Sequence, residues 1–387
     1  MGEGFFELEH RDRNGRARAG LLRTGHGIVE TPVFMPVGTQ GAVKAVEHRE
    51  LDDIGARLIL ANTYHLALRP GIQVIRDLGG LHRFMNWQGS ILTDSGGYQV
   101  YSLSQLRRIE PDGVVFRSHI DGSIHRFTPS MVIDVQRVLG SDIMMVLDEC
   151  PPADCGEEYA RRSAALTLRW ARESREHAQR TSPLYGHPQF LFGIVQGGVH
   201  EHLRVRNAED IVAVGFDGYA IGGVSVGEPP EVMYRVTEVT ASVLPWNAPR
   251  YLMGVGTPRD IVEAIGRGID MFDCVLPTRN GRNGMVFTRQ GPLSIAKERY
   301  QRDHRPVDEA CSCYTCSTFS RAYLCMLFRT REILALQLAS LHNLAFYLRL
   351  TREARTAILE DRFDEWSRSF IEQYSGGEDG VYQPAEQ

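Results

Sequence analysis

The chain repeats one rhythm: a short apolar run, then a polar or glycine-bearing stretch, then a segment whose apolar residues recur at helical spacing. Eight apolar runs read as strands, at residues 33–37, 57–61, 90–93, 142–147, 190–195, 216–221, 250–255 and 269–275. Helical patterns fall between most of them, at 129–139, 157–179, 201–212, 230–243 and 258–266. Alternation of this kind predicts parallel strand–helix–strand units. Eight strands favour a (β/α)8 TIM barrel of the α/β class over an open doubly wound sheet. Ahead of the first strand, FFELEH and ARAGLLRT flank Asn14-Gly15, a pair suited to a type I′ turn, so a hairpin acting as a lid is expected there. A second hairpin, with Asp121-Gly122 at its tip, is expected over 113–127, between the third strand and its helix.

In such a barrel the carboxyl ends of the strands line the active-site mouth. The residues at or just after those ends are Asn62, Asp94, Asp148 with Glu149, Gln196, Gly222 with Gly223, Gly254 and Asp273. Three aspartates and a glutamine therefore converge on one opening. The stretch from 269 to 287, IDMFDCVLPTRNGRNGMVF, sets Asp273 at the end of a buried strand and follows it with a glycine-bearing loop carrying Arg279 and Arg282. A carboxylate nucleophile beside a cationic loop suits chemistry on a phosphate-rich substrate.

Composition narrows this picture. With 387 residues, 43% of them hydrophobic, the chain can bury the core of one large domain with a small appendage. A net charge of -5 carries no global nucleic-acid signature, so any such contact must come from a local basic surface. Lysine occurs only at Lys44 and Lys297, which discounts arginine clustering as a signal. The first residues lack the basic and apolar regions of a secretory signal and no run approaches a membrane span, so a cytoplasmic protein is expected.

Seven cysteines, partly clustered, fit a metal site better than a disulfide framework. Cys311, Cys313 and Cys316 form a C-x-C-x2-C group, and His342 would complete the closed tetrahedral shell of a structural zinc ion. His304 competes as fourth ligand, and Cys325 competes more weakly. Cys150, Cys155 and Cys274 stand apart and read as packing residues. The expected organisation is a barrel with its hairpin over 1–290, a zinc-binding subdomain over 291–350, a helix packed on the core over 351–374 and a frayed tail over 375–387.

With LTDSGGYQV at 92–100, FDGYAIGGVSVGE at 216–228, YLMGVG at 251–256, DMFDCVLPTRNGRNG and the cysteine cluster in hand, the chain resembles the tRNA-guanine transglycosylase family from about Thr31 to Tyr347. Its length, without extra carboxyl-terminal RNA-binding domains, resembles the bacterial branch, the queuine tRNA-ribosyltransferases. The resemblance implies exchange of the wobble guanine of tRNAs with GUN anticodons for 7-aminomethyl-7-deazaguanine (preQ1), in queuosine biosynthesis. It implies Asp273 as covalent nucleophile and Asp94 as acid/base. Asp148, Gln196 and the backbone at Gly222-Gly223 would read the base, Tyr98 and Met253 would stack on it, and Glu228 would help switch the pocket between bases. Cys150 and Val226 match the preQ1-using pattern. The chain departs from commoner family spelling at Val195, where Gln is frequent, and at Val224, often Leu, and both bear on base selectivity.

Arg279, Arg282 and, more weakly, Lys44 are the candidates for tRNA contact, and the family's homodimer is carried over as an expectation. The chemistry of the residues agrees with the resemblance: a carboxylate beneath C1′ can trap a ribose as in retaining glycosidases, and a second acid can shuttle the base's proton. Competing readings are a zinc hydrolase or deaminase, which lacks a His-x-His at the first strand, a non-catalytic tRNA-binding subunit, and exchange with queuine or at another tRNA position.

Overall fold

The computed structural model of the chain describes residues 4–97 and 107–374. An amino-terminal antiparallel sheet consists of β1 (Phe6–Arg11), β2 (Arg18–Thr24) and β3 (Gly27–Thr31). The barrel begins with β4 (Val33–Met35), β5 (Leu58–Ala61) and β6 (Ser90–Thr93). After an inserted sheet of β7 (Arg107–Glu110), β8 (Gly113–Arg117) and β9 (Ile124–Phe127), it continues with β10 (Ile143–Met145) and β11 (Phe190–Val195). It ends with β12 (Gly218–Ile221), β13 (Arg250–Leu252) and β14 (Met271–Asp273). The eight barrel strands pair in parallel in the order β5-β6-β10-β11-β12-β13-β14-β4. A parallel bridge between Val37 and Leu60 brings β4 beside β5 and closes the ring. The (β/α)8 barrel read from the sequence is therefore the fold.

Strands such as β5, β6 and β12 are buried at every position, as expected where helices cover the outside and side chains fill the inside. The helices Pro129–Leu139, Glu157–Arg180, Glu201–Val214, Pro230–Val243 and Pro258–Gly266 stand where the periodicity predicts them. Proline opens three of them, at a position whose N–H has no helical partner in any case. Several ladders are shorter than the apolar runs that announce them. In the run 250–255 only Arg250–Leu252 pairs, and Met253 leaves the sheet to line the mouth.

Some expectations need correction. The amino-terminal hairpin gains a third strand, and it covers the floor of the barrel and not its mouth. Arg18 on β2 donates to both oxygens of Asp270, just ahead of β14, at 2.9 and 2.5 Å, and to the carbonyls of Trp246 and Ala248. The rings of Phe5 and Phe190, the latter opening β11, stack 3.8 Å apart. The inserted hairpin is also a three-stranded sheet, packed through Phe116 and Phe127 onto a satellite cluster with Tyr64, Val132, Leu147 and Trp170.

The segment after Asp273 is not a flexible loop. Pro277 opens a helix, Leu276–Arg282, and its glycine serves packing: a Cβ on Gly281 would lie 2.8 Å from the backbone of Ser340. Ser340 belongs to the helix Ile333–Leu359, which runs unbroken through residue 350, so the boundary expected there falls inside one element. By length and composition this helix could cross a membrane, against the expectation of no such run. Yet 72% of its apolar window is buried inside the protein, where it is the central strut of the carboxyl-terminal part. Residues 375–387 and their expected fraying lie outside the described residues.

Arg18 and Asp270 are both fully buried. Replacing Arg18 with Met strands a buried carboxylate, and an uncompensated buried charge costs about 3–5 kcal/mol. Urea denaturation of Arg18→Met should show a loss of that order, and a loss under about 1 kcal/mol would mean that the pair does not hold the sheet to the barrel.

Candidate active site

A cavity of about 280 Å³ opens at the carboxyl ends of the strands, and Asp94, Asp148 and Asp273 all line it. The three acids read from distant parts of the sequence are thus brought to one place. Asp273 is the last residue of β14. Its Oδ1 accepts from the Tyr251 hydroxyl at 2.6 Å and from the Gly254 N–H at 2.7 Å. Oδ2 takes no hydrogen bond among the described residues. Burial raises the Asp273 pKa, and the two donors work against that rise by stabilising the anion. Tyr251, next door on β13, is itself buried beside the carboxylate, which pushes its phenol well above the usual range and keeps it a donor.

Asp94 follows β6 and is held differently. Oδ1 accepts from the backbone N–H groups of Thr63 at 2.9 Å and Gly96 at 3.2 Å, while the Asn62 amide donates to Oδ2. Thr63 in turn donates its hydroxyl to the Asp94 carbonyl at 2.5 Å, so the turn after β5 and the turn after β6 lock each other.

Asp148 lies beyond β10, with Gln196 donating to Oδ2 at 2.8 Å and Ser95 to Oδ1 at 3.3 Å. Burial pushes its pKa up to about 6, against those two bonds and with the help of neighbouring Glu149. The Gly97 backbone passes so close that a Cβ there would lie 2.7 Å from Asp148 Oδ1, which explains glycine at this position. Gln196 stands behind the lining, and its Oε1 is buried without a partner.

Gly222, Gly223, Val224, Val226, Cys150 and Met253 line the cavity as expected. Gly223 sits at φ +62°, a conformation that suits glycine, and its N–H donates to nothing among the described residues. Glu228 is not in the lining. Its carboxylate accepts from the N–H of Ser225 and from that of Val226, the latter at 3.0 Å, so it shapes the loop from behind. Val195 is buried in β11 away from the cavity, whereas Val224 faces it. Tyr98 lies outside the described residues.

Of the cationic candidates, Arg279 is exposed and lines the mouth. Arg282 is half-buried outside the lining, where burial first and Arg279 second lower its pKa. Lys44 is exposed and near enough to His65 to help lower that residue's pKa, after burial and His119.

Ligand atoms of Cys311, Cys313, Cys316 and His342 lie within 4.8 Å of one another. This group could hold a metal ion. His342 sits on the long helix and donates Nε2–H to the Phe287 carbonyl at 2.7 Å, which leaves Nδ1 as ligand, 3.2 Å from Cys316 Sγ. His304 is exposed and outside the group, and Cys325 is turned toward the Lys297 carbonyl, so neither is the fourth ligand.

Sequence reasoning missed three contributors. His65 lines the mouth from the helical turn Thr63–Leu66, three residues after the strand-end Asn62, and that spacing was its only signal. Tyr251 was hidden inside a strand. Arg204, fully buried, donates to the carbonyls of Gly198, Val195, Gly222 and Gly223 at 2.8, 3.3, 2.7 and 2.9 Å. It fixes the backbone on which Gly223 is presented.

The family model described as queuine tRNA-ribosyltransferase matches residues 12–376. The chain is 56% identical to the queuine tRNA-ribosyltransferase of Syntrophobacter fumaroxidans over 365 residues, covering 94% of this chain and 96% of the relative. To that of Thermoanaerobacter sp. (strain X514) it is 53% identical over 369 residues, 95% and 97% of the two chains. To that of Solidesulfovibrio magneticus it is 54% identical over 375 residues, 97% and 99%. A match along nearly the whole length, with the three acids at one cavity, means that the chain belongs to the queuine tRNA-ribosyltransferase family.

Proposed function

We propose that the protein exchanges the wobble guanine of GUN-anticodon tRNAs for preQ1 by double displacement through a covalent aspartyl-ribose intermediate. The observation that carries this reading is Asp273, half-buried at a cavity it shares with Asp94, with its hydrogen bonds among the described residues confined to Oδ1. Oδ2 attacks C1′ of the ribose, the bond from C1′ to guanine N9 breaks, and the bonding pair leaves with the base. Asp94 gives a proton to the departing guanine, then takes one from the incoming preQ1 as its N9 displaces the carboxylate. The chain is not cut, because only the glycosidic bond is exchanged.

Base recognition follows from matching donors to acceptors. Asp148, held from behind by the Gln196 amide, accepts from N1–H and the 2-amino group, while the Gly223 N–H, which meets no acceptor among the described residues, serves O6. Met253 offers a thioether face to the flipped base. The branched Val226 and neighbouring Cys150 leave room for an aminomethyl group and less for queuine. Glu228, gripping two N–H groups of the same loop, is in position to respond when the base changes.

Arg279 at the mouth, with Lys44 and Arg282, supplies charge for the anticodon-loop phosphates. Zinc is the metal that three thiolates and one imidazole favour, in a structural role. Exposed Tyr314, Met326, Ile333 and Leu334 give the metal-bearing lobe the apolar surface that a homodimer needs. The reading keeps the cytoplasmic location expected from the sequence.

Labelled guanine should enter unmodified tRNA in the presence of the protein. Asp273→Asn should abolish incorporation and Asp94→Asn should slow it by at least 100-fold; persistent exchange by the first variant would reassign the nucleophile. The Asp148 pKa adds a second test. The raised value means that the anion, the form that accepts from N1–H, predominates only above about pH 6. Affinity of the free enzyme for guanine, measured by calorimetry, should therefore fall up to about tenfold for each pH unit below 6. In Asp148→Asn it should be weak at every pH, and a profile unchanged by that substitution would remove Asp148 from base recognition.

A further inference from the structure

At the opposite end of the barrel, three histidines gather around one buried carboxylate. His26 sits in the turn between β2 and β3, His82 in the helix Leu81–Met85 and His187 in the segment ahead of β11. One ring nitrogen from each lies within 4.8 Å of the others. The rings of His26 and His82 stack at 3.6 Å, and that of His187 meets His26 edge-on at 4.6 Å. Asp142, fully buried just before β10, lies at the centre.

The hydrogen bonds decide what this cluster presents. His26 uses Nδ1 on Asp142 Oδ1 at 2.7 Å. His82 uses Nε2 on the Gly89 carbonyl at 3.1 Å and lies 3.3 Å from Asp142 Oδ2. His187 uses Nε2 on the Gly140 carbonyl at 3.0 Å. Carbonyls and carboxylates accept, so in each neutral imidazole the bonded nitrogen carries the proton and the other bears a lone pair. Among the described residues no donor meets any of those second nitrogens. Imidazoles oriented through one nitrogen by a carboxylate or carbonyl, with the other left free, are what a metal-binding histidine requires.

The surroundings are built to hold the rings in place. A Cβ on Gly25 would lie 2.5 Å from His187 Cβ, so the turn carrying His26 fits His187 only because residue 25 is glycine. Thr24 pins the same turn, accepting from the His26 N–H at 3.1 Å and bonding the Ser90 hydroxyl at 2.8 Å. Asp142 Oδ2 also accepts from the Ile91 N–H at 2.9 Å, which fixes the carboxylate to the barrel floor.

We propose that His26, His82 and His187, oriented by Asp142 and the barrel-floor carbonyls, form a second metal site for a divalent ion that prefers imidazole, such as Zn2+, Ni2+ or Cu2+. Such ions favour nitrogen-rich sets, and the three rings bring one nitrogen each within 4.8 Å of the others. The ion would join the amino-terminal sheet to the barrel at a point far along the strands from the catalytic cavity, so the site is independent of the transglycosylase reading. Its role is to fasten the sheet that Arg18 also holds.

Elemental analysis of the full-length protein, equilibrated with excess Zn2+ and dialysed, tests this. The unaltered chain should retain two ions and the doubly substituted His26→Ala, His187→Ala chain one. Equal contents in the two proteins, or a single ion in the unaltered chain, would overturn the proposal and leave a cluster that binds protons only. A second measurement does not depend on the variant folding. With the cysteine site already filled by zinc, added Co2+ should give visible ligand-field absorption without the near-ultraviolet band of thiolate ligation. No new absorption, or one carrying the thiolate band, would count against the histidine site.

Discussion

The nucleophilic role proposed for Asp273 requires it to stay ionised in a place that disfavours ionisation. Burial raises its pKa, and the barrel answers with two donors on a single oxygen, a phenol from β13 and a backbone N–H from the loop that follows. Much of the surrounding construction serves those two contacts. Tyr251 can reach because it lies opposite Met271, two residues short of Asp273 and on the same face of the ladder. The Gly254 N–H points correctly because residue 254 adopts φ +72°, which a side chain would resist. Among the described residues the other oxygen has no protein partner, which suits the attacking role proposed for it.

The same logic of support from behind recurs around the cavity. Asp94 is braced by Asn62 and Thr63, Asp148 by Gln196 and Ser95, the Gly222-Gly223 backbone by Arg204, and the loop beyond it by Glu228. The helix carrying Arg279 is braced in turn by the long carboxyl-terminal helix, whose Asn343 donates to the carbonyls of Pro277 and Met285 at 3.0 and 2.9 Å. His342, one residue earlier, belongs to the cysteine cluster, so a metal bound there would stiffen the element that backs the mouth.

How much of this was legible in the sequence depended on the range of the interaction. The eight strands could be read because each is a run of apolar residues buried on both faces, and the acids could be read because they fall where those runs stop. The helix after Asp273 could not. Its glycine and asparagines describe a loop until the helix Ile333–Leu359 presses against Gly281, a contact between residues 59 positions apart in the chain. Arg204 and Tyr251 were equally hidden, since nothing local marks a buried arginine whose partners are four carbonyls, or a strand tyrosine whose hydroxyl finds a carboxylate on the next strand. The floor position of the amino-terminal sheet rests on Arg18 meeting Asp270, again a long-range pairing.

The central claim is that the ribose is carried on Asp273. Mixing the protein with tRNA and a base analogue that cannot complete the second displacement, then denaturing, digesting and sequencing the adduct by mass spectrometry, addresses it directly. The account predicts a ribose-linked nucleotide on the peptide containing Asp273 and on no other. An adduct on Asp94 or Asp148, or exchange that proceeds with no adduct under any trapping condition, would contradict it.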